Sequence, residues 1–407
     1  MSVGGTAMPP LDHAGLRQDV ERLAAIGPRF AGTPGEARAR AFLADELRGA
    51  GVEVRAEEFT HLAYEPDEAS CAVLESAGDP AISASLPCAG LQATAAGVVE
   101  AEAVYVGDGT EEEGEIDGRI AVFRNGVPTT VAPGLAARGA GGLIALSPAP
   151  DGLITHLVAS FQPLAGPTQD ERVLPIPGVV VEAGAGERLL ARISRGPTRV
   201  RIEHRASYME RTSANLVAEI PGTEPEAPRI VIGAHYDTQL DSPGAADNAT
   251  GLAALLAMAR AWAGARPRRT ISLVAFGVEE TGSWGAADFV ARHAEEGIEA
   301  MVNLDALGPP LDATRTIVAD PHLAALAAES ARATGWKVEQ ELDARNFPFA
   351  DHAPFVAADI PAVWIWRYPP PHPYYHSSGD TPRWVNFTLL AEDAQASAAT
   401  AWRLANP

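Results

Sequence analysis

At 407 residues the chain is long for one domain, and its net charge of −22 argues against nucleic acid or an anionic membrane surface as partner, since both want clustered Lys and Arg. Lys337 is the only lysine, which excludes a Walker-type phosphate loop and leaves little room for Schiff-base chemistry. Two cysteines, Cys71 and Cys88, form neither a disulfide framework nor a zinc-finger spacing and read as buried reduced thiols.

The first residues, MSVGGTAMPP, lack the charged and apolar regions of a secretory signal, and residues 1–12 read as a mobile tail. No apolar run approaches the ~20 residues of a membrane span, so the expectation is a soluble, cytoplasmic protein. Leu16, Val20 and Leu23 recur at helical spacing, and that helix should end near Gly27-Pro28. Thr33-Pro34-Gly35-Glu36 has the N-cap, first-turn proline and capping-box glutamate of a second helix, which Gly51 ends. VEVRAEEF (52–59) alternates as a strand does. From about 65 to 205 the texture changes to short β-like runs, AVYVG, RIAVFRNG, GGLIALS, PGVVVE and TRVRIEH, with helical pieces near 132–140 and 184–194. The acidic run GTEEEGEID (109–117) reads as a solvated turn. The GxGG run Gly139 to Gly142 falls between a helix and a strand, the wrong order for a dinucleotide fingerprint. This segment shows no ligand-like spacing of His, Asp and Glu.

An α/β rhythm resumes at about 206. Strands are expected at 215–220, 229–235, 270–277, 300–305 and 361–366, and helices at 249–263, 284–294, 321–334 and 386–404. Strands alternating with helices imply a three-layer α/β/α domain on a mixed, largely parallel sheet, whose site residues collect at strand ends. The organisation expected is therefore 1–64 as the first part of the catalytic domain, 65–205 as a smaller β-rich insertion, and 206–407 as the rest.

The residues at those strand ends carry the chemistry: His235-x-Asp237, Asp247-Asn248, Glu279-Glu280, Asp305 and His376. Singly, each has a plain structural role. Asp247 could cap a helix, and the paired glutamates could solvate a turn. Jointly they are harder to dismiss, because three apolar strands in succession each deliver an acid or imidazole at the same place. Two imidazoles and several carboxylates without a thiolate suit zinc, or less specifically cobalt or manganese. Five ligands exceed what one tetrahedral zinc with an open position takes, but fit two ions ~3.5–4 Å apart sharing a bridging carboxylate.

The segments HYDT, GAADNATG, GVEETGSWG, NLDALG, ADHAPF and YYHSSGDTP resemble, in order, those of the co-catalytic di-zinc exopeptidases, the family of bacterial leucyl aminopeptidases, aminopeptidase Y and glutamate carboxypeptidase II. Residues 29–54 resemble that family's N-terminal segment, and 65–205 its inserted protease-associated domain. The resemblance implies a metallo-exopeptidase with two zinc ions per chain, acting on peptides with a free N-terminus. It implies that His235 and Asp305 ligate one ion, Glu280 and His376 the other, and that Asp247 bridges them. Glu279 would be the general base, Asp237 the acid that orients His235, and Asp247–Asn248 a cis peptide. Tyr374, Tyr375 and Asp351 are candidate substrate contacts, with Ala350 standing where the family has serine.

His372, in RYPPPHPYY, reads as a rim residue, and His13, His61, His156, His204, His293 and His322 as structural or surface. Three other readings compete: a carboxypeptidase or dipeptidase, with Arg345 and Arg367 as candidate partners of a substrate carboxylate; a one-zinc glutaminyl cyclase, which the intact HxD histidine disfavours; and a metal-free receptor-like module, which five intact ligand positions disfavour. Side-chain preference is left to loops such as 309–320 and 343–350.

Overall fold

The computed structural model describes residues 7–77, 84–110, 114–160, 172–311, 313–368 and 372–407. Helices Ala14–Ala24 and Pro34–Gly49 lead into β1 (Val54–Ser76), followed by β2 (Ala84–Leu86), β3 (Cys88–Gly90), β4 (Gly97–Tyr105) and β5 (Ile120–Phe123). Helix Pro128–Ala137 precedes β6 (Gly142–Leu146) and β7 (Gly178–Val181), and helix Ala183–Ile193 precedes the long β8 (Thr198–Ile220). Then β9 (Arg229–His235), β10 (Ile271–Phe276) and β11 (Ile298–Asn303) alternate with helices Thr250–Trp262 and Trp284–His293. The chain finishes through β12 (Thr314–Ala319), helix Pro321–Ala333, β13 (Gln340–Asp343), the short helix Ala353–Ala357, β14 (Ala362–Tyr368) and helix Phe387–Ala405.

Two compact units result: 1–61 with 212–375 and 380–407, and 62–211 with 376–379. The first is an α/β domain with strand order β13-β12-β14-β11-β9-β10-β8. Its centre is parallel, with β10, β9, β11 and β14 running the same way, while β8 runs against β10, and β12, with β13 parallel to it, runs against β14. Strands β9 and β10 are buried on both faces, which explains why they read as continuous apolar runs. Helix Thr250–Trp262 is buried almost throughout, as its run TGLAALLAMARAW requires.

The second unit has its own parallel run β4-β5-β6-β7, with β3 antiparallel to β7 and residues 97–102 of β4 antiparallel to 199–204 of β8. Its core gathers Ile120, Val122, Ile144, Val179, Val181 and Ile202. Cys71 is buried, Cys88 half-buried, and the two are unbonded.

The expected tail is shorter than the sequence suggests. Leu11 is buried in the main core and Met8 packs against it, so apolar burial fixes the chain from there. β12 falls inside the expected loop 309–320, and β13 is a half-exposed polar edge strand that apolar patterning does not reveal. The middle of the acidic run at 109–117 lies outside the described residues. Among the described residues, no helix is long and apolar enough to cross a membrane.

Candidate metal centre

Strand register brings the site together. Phe276 lies level with His235 and Asn303 with Gly233, so Asp305, two residues on, arrives level with His235. Beyond Phe276 the chain turns sharply at Val278, whose φ of 60° is rare for a β-branched residue, and presents Glu279 and Glu280.

Asp247 comes from the loop before helix Thr250–Trp262, and the Asp247–Asn248 bond is cis. The loop leaves little space for side chains: a Cβ on Gly244 would lie 2.4 Å from Asp247 O, and one on Gly251 2.2 Å from Leu304 O. Asn248 fastens this loop to the end of β11, donating to Leu304 O at 2.8 Å and accepting the Gly251 amide at 2.9 Å.

His235 Nε2 lies 3.0 Å from Asp247 Oδ1, 3.4 Å from Asp305 Oδ1 and 3.9 Å from Glu279 Oε2. One ligand atom each from His235, Asp247 and Glu280 falls within 4.8 Å of the others, and all three residues are buried. His235 Nδ1 faces the Asp237 carbonyl oxygen at 3.2 Å, a contact that places the proton on Nδ1 and leaves the Nε2 lone pair for a ligand.

The Asp237 carboxylate is engaged differently from the expected role. Its Oδ1 accepts the Glu279 amide at 2.9 Å and its Oδ2 the Glu280 amide at 3.2 Å, while the nearest approach to His235 Nδ1 is 3.7 Å. Asp237 therefore aligns the two glutamates with its side chain and the imidazole with its backbone.

The electrostatics follow from crowding. Burial pushes Glu279 and Glu280 well above the usual carboxylate range; Asp351, Asp305 and Asp247 add to this at Glu279, and Asp247 adds at Glu280. Burial would lower His235, but Glu279, Asp237, Asp247 and Asp305 outweigh it and raise the imidazole well above its ordinary value. So many carboxylates around one imidazole are stable together when cations neutralise them, and the N/O donor set without sulfur suits zinc. The residues present fit a metal ion.

Two residues that the sequence reading passed over hold the Asp247 loop. Arg29, fully buried, donates from Nε to Tyr236 O at 2.9 Å, from Nη1 to Pro243 O at 2.6 Å and from Nη2 to Gly244 O at 3.1 Å. Burial lowers its guanidinium to about 10, against the pull of Asp380, Asp237, Asp247 and Glu280. Asp380, also fully buried, accepts the Ala246 amide at 2.9 Å and the Asp247 amide at 3.1 Å. An arginine inside RFAGTPG and an aspartate at the end of HSSGD are the available signals, and neither has a spacing that marks it.

His372 is not on a rim. Its side chain is fully buried, stacked on Trp384 with ring centroids 5.9 Å apart, and 3.2 Å from Asp380 Oδ1. Tyr374 stacks on Trp384 at 4.5 Å, with the Arg383 guanidinium over its ring. Tyr375 instead faces the acids: burial of its hydroxyl, with Asp247, Asp305 and Glu280 nearby, holds it well above the ordinary phenol value.

Asp351 is buried, and its carboxylate oxygens have no hydrogen-bond partner among the described residues. Its neighbour His352 packs against Trp364. His376, with φ of 57°, is grouped with the second unit, where its carbonyl oxygen accepts the His156 amide at 2.8 Å. It is not among the three residues whose ligand atoms cluster.

Residues 215–401 match the model of peptidase family M28. The aminopeptidase YwaD of Bacillus subtilis is 27% identical over 373 residues, covering 88% of this chain and 77% of that one. Among solved structures, an aminopeptidase from Aneurinibacillus sp. strain AM-1 superposes with a TM-score of 0.72 at 22% identity, covering 98% of this chain and 95% of the other. BSAP, a zinc aminopeptidase from Bacillus subtilis, gives 0.71 at 21% identity over 98% and 96% of the two chains. At these identities the superpositions establish a shared fold.

Proposed function

We propose that this M28 domain belongs to a zinc-dependent aminopeptidase that releases N-terminal residues from peptides. The observation that carries the reading is the convergence of buried His235, Asp247 and Glu280, with the Glu279 carboxylate 3.9 Å from the same imidazole nitrogen. The names of the YwaD and BSAP relatives support it. Residue by residue, His235 and Asp305 would hold one zinc, Glu280 and His376 a second, and Asp247 would serve both; the part of His376 rests on its motif YYHSSGD alone.

Bound zinc would supply Lewis acidity and a water acidified toward neutral pH. The chain's own groups do the rest. Glu279 takes the proton of the attacking water and returns it to the departing amine nitrogen, a transfer for which a raised carboxyl pKa is suited. The Tyr375 hydroxyl donates to the oxygen of the scissile carbonyl as charge develops there. The Asp351 carboxylate, with no protein donor of its own, accepts from the substrate's free amine, which ties cleavage to a chain end.

The carboxypeptidase reading needs cations for a terminal carboxylate, and its two candidates are committed elsewhere. Arg367 pairs with Asp393 at 2.8 Å and Glu392 at 2.7 Å, and Arg345 pairs with Asp343.

The test is elemental analysis of the purified protein, together with hydrolysis of aminoacyl-p-nitroanilides whose amine is free or blocked. About two zinc per chain and chelator-sensitive release from free-amine substrates alone are expected. Equal release from blocked substrates would overturn the aminopeptidase reading, and one zinc with cyclisation of N-terminal glutamine would point to the cyclase.

A further inference from the structure

The His372 ring makes polar contacts on both of its edges. The Tyr374 amide donates to His372 Nδ1 at 3.1 Å, so Nδ1 is an acceptor and the ring proton sits on Nε2. That Nε2 lies 3.2 Å from Asp380 Oδ1, an electrostatic contact outside hydrogen-bond geometry, and the two Asp380 oxygens already accept the Ala246 and Asp247 amides. The Tyr375 amide also donates to the His372 carbonyl oxygen, at 3.2 Å, closing the turn. One imidazole thus fastens the turn that presents Tyr375, and its other edge bears on the carboxylate that orients the Asp247 backbone. Both side chains are fully buried, so water does not compete for these contacts, and the flat stack on Trp384 fixes the plane of the ring.

We propose that His372 is a positioning residue which, through Asp380, ties the turn bearing Tyr375 to the backbone of Asp247, so that the oxyanion donor and the central metal carboxylate are set by one side chain. The inference rests on the functional reading above, in which Asp247 is the carboxylate between the two ions and Tyr375 meets the reacting carbonyl. An outer partner of this kind contributes through geometry, and its loss costs about 10–100-fold in metal affinity or activity.

The experiment compares wild type, H372F and H372Q by three readings: zinc retained against a competing chelator, kcat and KM on an aminoacyl-p-nitroanilide, and the melting temperature of the metal-stripped protein. Phe keeps the ring and its stack but offers Asp380 no N–H and Tyr374 no acceptor. Gln restores an N–H within reach of Asp380. Expected for H372F are at least about tenfold weaker zinc retention and a tenfold or greater fall in kcat with KM changed less than about threefold. H372Q should recover much of the zinc retention. A lower melting temperature with kcat per zinc-loaded molecule unchanged in H372F would make His372 merely structural and overturn the proposal.

A measurement on the wild type needs no variant. With 15N-histidine labelling, the His372 Nδ1 resonance should fall in the range of an unprotonated acceptor nitrogen; a proton on Nδ1 would overturn the proposal even if H372F failed to fold. Wild-type protein that binds no zinc and releases no amine would instead overturn the functional reading and this inference with it. Full wild-type activity alongside an unimpaired H372F removes this inference alone.

Discussion

Each unit of this chain contains parallel strands that end side by side, and each places acidic residues near those ends. In the inserted unit, β7 ends at Val181 and Glu182 follows; its carboxylate accepts the amides of Gly152, Gly184 and Ala185 and caps the helix beginning at Ala183. In the catalytic unit, β9, β10 and β11 end beside His235, Glu279, Glu280 and Asp305, and the acids crowd one imidazole. A buried acid at a strand end is therefore no signature by itself. Asp237 makes the point within the catalytic unit, since its oxygens accept the Glu279 and Glu280 amides just as those of Glu182 accept amides in the other. Convergence of several acids on one nitrogen is what separates a centre from a set of caps.

The sharpest way to break this contrast is at the two glutamates. Glu279→Gln should retain zinc by elemental analysis yet lose at least ~10³-fold in turnover, the loss expected when a general base is removed. Glu182→Gln should leave turnover within about twofold; loss of activity there would put chemistry in the inserted unit and erase the distinction.

Asp237→Ala should come next. It strands two buried amides, each costing roughly 1–3 kcal/mol, and releases both glutamates from their alignment. Denaturant titration should show that loss of stability, and turnover should fall further than in Asp237→Asn, which keeps one acceptor. Equal turnover in the two variants would deny Asp237 its aligning part.

A third prediction uses pH and concerns the inserted unit. His204 Nδ1 donates to Thr94 Oγ1 at 3.0 Å, because that hydroxyl already donates to Leu91 O at 2.6 Å; Nε2 therefore accepts from the Tyr64 hydroxyl at 2.9 Å. Burial lowers this histidine to about 4, so the folded protein holds it neutral. Unfolded, it takes up a proton below about 6.5. Its contribution is thus fully present above pH 6.5, is lost as pH falls toward 4, and changes no further below that, on the order of 2 kcal/mol in all. Replacing His204 with Gln should flatten that part of the stability curve, and an unchanged slope would refute the account.

The smallest effect expected is Glu182→Ala, with about 1 kcal/mol lost from the capped helix and activity intact.

Much of the catalytic unit can be read from residue order. The run RIVIGAH and the helix TGLAALLAMARAW announce themselves by continuous apolarity, and the paired glutamates after ISLVAF stand out for the same reason. What escapes a linear reading depends on the fold. β13 has no apolar face to betray it, and β12 lies inside a stretch that reads as a loop. His372 lies in a proline-rich stretch whose composition suggests exposure, and only Trp384 and Asp380, brought back by the chain, bury it. Arg29 and Asp380 escape because the loop groups they hold are backbone atoms more than 130 positions away, and a carbonyl or an amide leaves no trace in residue identity.

That last pair carries a consequence for how the centre is held. The Asp247 loop is gripped from one side by Arg29, which precedes it in the chain, and from the other by Asp380, which follows it. With Arg29 in place but Asp380 absent, the loop would be held from one side only. Loss of the segment bearing residue 380 would leave the Ala246 and Asp247 amides without their carboxylate, so integrity of that segment and integrity of the centre are one property.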